Sequence, residues 1–69
     1  MITEIGIVAG EIWHFLDEHQ STARLSAIVT GISRSRDLVL LSAGWLAREG
    51  HMVLRQEGND YTLTLRRPS

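Results

Sequence analysis

Ser33-Arg34-Ser35-Arg36-Asp37-Leu38-Val39-Leu40-Leu41-Ser42-Ala43-Gly44-Trp45-Leu46-Ala47-Arg48-Glu49-Gly50 reads as one helix, with Ser33 as its N-cap and Gly50 just past its end. At 100° per residue Val39, Ala43 and Leu46 share a face, the stripe that a surface helix turns to its core. Leu38, Leu41 and Trp45 form a second apolar face, and Leu40, Gly44 and Ala47 fill much of the remainder. After Asp37 only Ser42, Arg48 and Glu49 are polar. A helix apolar nearly all round must be buried nearly all round. With 69 residues in the chain there is little protein to bury it.

Upstream, Thr30-Gly31-Ile32-Ser33 is the sharpest local signal. Gly31 can take the positive φ that stops a helix, Ile32 plugs the corner, and Ser33 caps the helix that follows. A helix over residues 23–30, with Leu25, Ile28 and Val29 inward, therefore meets the next helix through a tight turn, the helix-turn-helix arrangement. Residues 21–23 leave room for a short bridging strand or a cap. Further upstream Thr3 is placed to cap a first helix, and Ile5, Val8, Ala9, Ile12 and Leu16 recur on one side of it at helical spacing. Trp13 and Phe15 flank that stripe. Glu11, His14 and Glu18 lie opposite with Ile7 among them, and the helix should end near His19.

Downstream of Gly50 the period changes from 3.6 to 2. Residues 52–56 read as a strand, 57–60 as a turn, and Tyr61, Leu63 and Leu65 alternate with Thr62, Thr64 and Arg66 as a half-buried second strand. Pro68 ends the hairpin. The order helix, short strand, helix, helix, hairpin is the winged helix-turn-helix plan, an α+β domain occupying residues 1–69. The expected core is Ile5, Val8, Ile12 and Leu16, then Leu25, Ile28 and Val29, then Val39, Ala43 and Leu46, closed by Leu54, Leu63 and Leu65.

The chain has no cysteine, so neither a disulfide nor a thiolate zinc site can support so small a core. No run approaches the roughly 18 apolar residues of a membrane span, and the acidic start Met-Ile-Thr-Glu lacks the basic opening of a secretion signal. A cytoplasmic protein is the expectation. The net charge of −1 argues against strong general nucleic-acid binding. Its distribution is uneven. Residues 1–23 carry Glu4, Glu11, Asp17 and Glu18 with no Lys or Arg, whereas residues 24–48 set Arg24, Arg34, Arg36 and Arg48 against Asp37.

Two motifs carry a family resemblance. Thr30-Gly31-Ile32-Ser33 resembles the Thr-Gly-Leu-Ser turn common in winged-helix regulators. Gly44-Trp45-Leu46-Ala47-Arg48-Glu49 resembles the signature of a family of small, stand-alone bacterial winged-helix proteins of unknown function. The resemblance implies a winged-helix fold and a capacity to dimerise, and it brings no established activity. Ser26 departs from the pattern, since related helices place Leu at that point.

Two classes of function compete. In the first, a homodimeric transcription-regulator type of module grips double-stranded DNA. Arg34 and Arg36 would sit in the first turn of the third helix, where such proteins meet base edges and phosphates. Two cations there oppose the helix dipole by about 0.3–1 kcal/mol each. Ser35 could donate to phosphate, and Arg24 and Arg55 would add phosphate contacts. Two solvated arginines, one pairing with Asp37, explain the same residues without DNA, and the tip Gly58-Asn59-Asp60 has no cation for a minor groove. In the second, Leu38, Leu41 and Trp45 form the seam of a homodimer or bind another protein, with no role for DNA. Those three could also pack on the first helix. A seam there leaves only the start of the third helix free for a groove.

Glu11, His14 and Glu18 have spacings a helical metal site can use, but those spacings equally describe an ordinary wet face, and no cofactor or metal is expected. No carboxylate pair, phosphate-cradling glycine loop or nucleophile beside a base is present, so an enzyme is not expected.

Overall fold

The computed structural model describes residues 2–66. Its elements run α1 (Ile2–Glu18), β1 (Thr22–Arg24), α2 (Leu25–Ile32), α3 (Arg36–Arg48), β2 (Met52–Glu57) and β3 (Asp60–Leu65). The strands form one antiparallel sheet in the order β1-β3-β2. This is the winged helix-turn-helix order. Pro68, expected to end the hairpin, lies outside the described residues.

α1 contributes Val8, Ala9, Ile12 and Leu16 to the core, its apolar stripe, and packs chiefly on α3. Ile5 is only half-buried and Ile7 is exposed on the wet side. Thr3 lies inside α1, which already includes Ile2, so it is not the cap. The helix closes through the Ser21 N–H donating to the Leu16 carbonyl at 2.7 Å, which requires left-handed backbone at Gln20 (φ 62).

α2 is shifted two residues beyond the expected 23–30, and the shift relocates the turn. Gly31 lies within the helix and is not among the glycines with positive φ. A Cβ at Gly31 would run into the Phe15 ring, and that ring is stacked on His19. The glycine thus serves close helix approach. Ser33 takes the left-handed conformation (φ 56, ψ 48) and ends α2. It therefore does not cap α3. Ser35 does, its Oγ accepting from the Leu38 N–H at 3.2 Å. α3 stops at a glycine as expected. Gly50 (φ 82) lets its own N–H reach the Ala47 carbonyl and the His51 N–H reach the Leu46 carbonyl.

Register assigns the sheet faces, because side chains alternate along a strand and directly paired residues share a face. Leu63 pairs with Ala23 and Leu54, and Leu65 with Met52; these face the helices. Leu63, Leu65 and Met52 are buried, while Leu54 is half-buried. Thr64 pairs with Thr22 and Val53, and Thr62 with Arg24 and Arg55, on the outer face. The hairpin closes through a two-residue turn, Gly58 and Asn59, with Glu57 still paired to Asp60. The core also contains Leu25, Ile28, Val39, Ala43 and Leu46. It includes Ser42, whose hydroxyl donates to the Leu38 carbonyl at 2.8 Å and so is satisfied in an apolar setting.

Candidate functional site

α3 is the element on which both functional classes meet. Because Ser33 rather than Gly31 makes the turn, Arg34 stands ahead of α3 and not in its first turn. Its guanidinium reaches back to α1 and grips Glu11 in a two-pronged pair, Nε to Oε1 at 2.9 Å and Nη2 to Oε2 at 2.8 Å. The Arg34 hydrogen bond holds the Glu11 carboxyl below its ordinary range against the opposing effect of burial, and Glu11 in turn raises Arg34. Arg34 thus ties the helix-turn-helix corner to α1.

Arg36 is the first residue of α3 and is exposed. Its Nη2 donates to the Asn59 carbonyl at the hairpin tip, 3.3 Å away, so the start of α3 is linked to the tip that lacks a cation. The Ser35 hydroxyl is used as the α3 cap. Arg24 and Arg55 are exposed and flank Thr62 on the outer sheet face. Of the five residues considered for DNA, Arg34 turns to α1, Ser35 and Arg36 lie at the start of α3, and Arg24 and Arg55 sit on the outer sheet face.

Asp60 reads locally as a turn residue and nothing more. Its carboxylate accepts from the Ser26 hydroxyl at 2.7 Å, the Ser26 N–H at 3.3 Å and the Tyr61 N–H at 2.8 Å. Ser26 is the second residue of α2, and Arg24 at the N-cap position offers no side-chain bond. The cap of α2 thus comes from the hairpin. The Ser26 hydroxyl, then the Tyr61 N–H, hold Asp60 below the ordinary carboxylate range, with a smaller contribution from the charge of Arg24. Ser26, the departure from the family pattern, is exposed and supplies this contact in place of packing.

The rest of α3 divides by face. Val39, Ser42, Ala43 and Leu46 are buried. Leu38 and Leu40 are half-buried against the core. Leu41 and Trp45 remain 54% and 47% exposed, so α1 does not cover them. On the helical wheel Asp37, Leu41, Gly44, Trp45 and Arg48 occupy an outward arc of about 100°. Asp37, Leu40 and Leu41 line a shallow groove there. A Cβ at Gly44 would meet nothing within 4 Å.

Compared with protein families, the chain matches one described as winged helix-turn-helix domain (DUF2582) over residues 1–65. It belongs to that family. No curated protein and no solved structure matches it.

In this winged helix-turn-helix domain, α2 and α3 form the helix-turn-helix and β2 and β3 the wing. The fold is commonly DNA-binding and typically non-enzymatic. The outward arc of α3 is the surface that such a domain would lay into a major groove, and here it carries Leu41, Gly44 and Trp45 with Asp37 and Arg48. Among the described residues no three His, Asp or Glu side chains are placed to hold a metal ion, and no helix is long and apolar enough to cross a membrane.

Proposed function

We propose that this winged helix-turn-helix domain is an assembly module that docks protein on the outward face of α3, rather than a reader of base sequence. The observation that carries the reading is the exposure of Leu41 and Trp45, 54% and 47%, on the arc a DNA reader would need polar. Large apolar side chains presented together on one helix face are the ordinary mark of a protein contact, with Trp the commonest anchor. Supporting it, Arg34 is engaged by Glu11 and Arg36 by Asn59, and the wing tip has no cation.

A second reading keeps DNA as partner and rests on Arg24 and Arg55 flanking Thr62 on the outer sheet face, with Arg36 at the start of α3. It makes the protein a homodimeric, cytoplasmic transcription regulator held by phosphates. With three such contacts, log affinity would fall against log salt with a slope of about −3 per subunit.

Titration with mixed-sequence duplex DNA at low salt separates the two. The assembly reading expects no saturable binding. Saturable binding that is abolished in the Arg24→Ala/Arg36→Ala/Arg55→Ala variant overturns it in favour of the second.

A further inference from the structure

We infer that the occupant of the α3 face is a second copy of this chain, its α3 running antiparallel and crossing between Ser42 and Ala43. The inference rests on the assembly reading and names its partner. It starts from charge. Asp37 stands in the first turn of α3 and Arg48 in the last, on the same outward arc, about 16 Å apart along the axis. Neither makes an ion pair within the chain among the described residues. A parallel pairing would set Asp37 against the partner's Asp37 and Arg48 against the partner's Arg48. An antiparallel pairing about that centre sets Asp37 against the partner's Arg48 at both ends of the seam, as a two-fold axis requires.

The same centre orders the apolar middle. It places Leu41 opposite the partner's Gly44 and Leu40 opposite the partner's Trp45. Asp37, Leu40, Leu41 and Gly44 are the four corners of a hole on a helix surface, and the shallow groove lies among the first three. The partner's Trp45 is the knob this register delivers to it. Two-fold symmetry supplies the contact twice.

Gly44 fits the same register. Glycine is a destabilising choice inside a helix. Here the backbone is ordinary helix without positive φ, and a Cβ would meet nothing in the chain. Gly31 and Gly50 each have an intrachain reason, a neighbouring ring and a left-handed turn. Gly44 has none, as is also true of Gly6 and Gly10 in α1, but Gly44 alone of the three lies on the α3 arc, where its missing Cβ allows close approach of a second Leu41.

Sedimentation of the full chain tests the pairing with two charge variants, D37R and R48D, whose fold is checked by circular dichroism. The parent is expected to be a dimer at high micromolar concentration, and each single variant to dissociate at least ten-fold more readily. An equimolar mixture of the two variants should re-form a dimer, since the two arginines on the α3 arc of the D37R chain then meet the two aspartates on that of the R48D chain. The double variant D37R/R48D should dimerise like the parent. Gly44→Leu should be monomeric. A monomeric parent overturns the inference, and so does a dimeric parent whose mass neither charge variant changes. The assembly reading fails separately, in the DNA titration above.

Discussion

Gly31 and Gly10 illustrate how one residue type answers to opposite constraints. Both lie inside helices with ordinary backbone. A methyl at Gly31 would strike the Phe15 ring, whereas one at Gly10 meets nothing within 4 Å. Gly10→Ala should therefore stabilise the fold by about 1 kcal/mol through helix propensity. Gly31→Ala should cost about 1–3 kcal/mol by overpacking. Urea denaturation of the two variants checks the pair of signs. Ser33 and Ser35 carry the companion lesson. They have the same capping chemistry two residues apart, so local preference cannot choose between them. In the folded chain Ser33 makes the turn and Ser35 the cap, while Gly31 inside α2 leaves room for the Phe15 ring.

Among elements, the hairpin holds α2 and α1 holds the helix-turn-helix corner, each through a carboxylate. Asp60 bonds Ser26 across 34 positions and Glu11 bonds Arg34 across 23. Both carboxyls lie below their ordinary values in the folded chain. A depressed folded value means the contribution is complete above the unfolded pKa, about 3.9 for Asp and 4.3 for Glu. It is lost as pH falls through the folded value. The urea midpoint should accordingly hold from neutrality to about pH 5 and decline below about pH 4. The Glu11→Gln/Asp60→Asn variant should be less stable at neutral pH and show a shallower acid decline. An unchanged acid decline would show that neither contact stabilises the fold. Glu11 and Arg34 are each about one-third exposed on the side chain, so solvent screens their pair.

The elements themselves are legible because their signals are periodic: 3.6 along α1 and α3, 2 along the hairpin, with Gly50 and the 57–60 turn as punctuation. The long-range pairs are not, since nothing in the local pattern of Glu11 or Asp60 distinguishes a solvated acid from one that meets a distant donor. Arg34 departs from its expected place for the same reason. A helix start at Ser33 would put it in the first turn of α3, whereas its partner lies on another helix.

For the molecule as a whole, smallness sets the margins. Val8, Ile12, Leu16, Leu25, Ile28, Val39, Ala43 and Leu63 are fully buried in a chain with no disulfide. Ile12→Ala should cost about 2–5 kcal/mol, comparable to the whole stability of roughly 3–5 kcal/mol that a core of this size supplies. Circular dichroism should find that variant largely unfolded at 37 °C. Most of this core can be read from periodicity. Ser42 and Met52 cannot, because one is polar and the other sits at a strand end, yet both are buried. The apolar excess of α3 is legible too, and the chain leaves Leu41 and Trp45 without cover of their own.

The environment of Trp45 tests the account most directly. In a Trp13→Phe background its fluorescence reports α3 alone. A second copy seated on the face predicts a short-wavelength emission maximum at high protein concentration that moves to longer wavelength on dilution. Leu41→Glu should give the long-wavelength maximum throughout. Emission of a water-exposed indole at every concentration in the Trp13→Phe protein would contradict it.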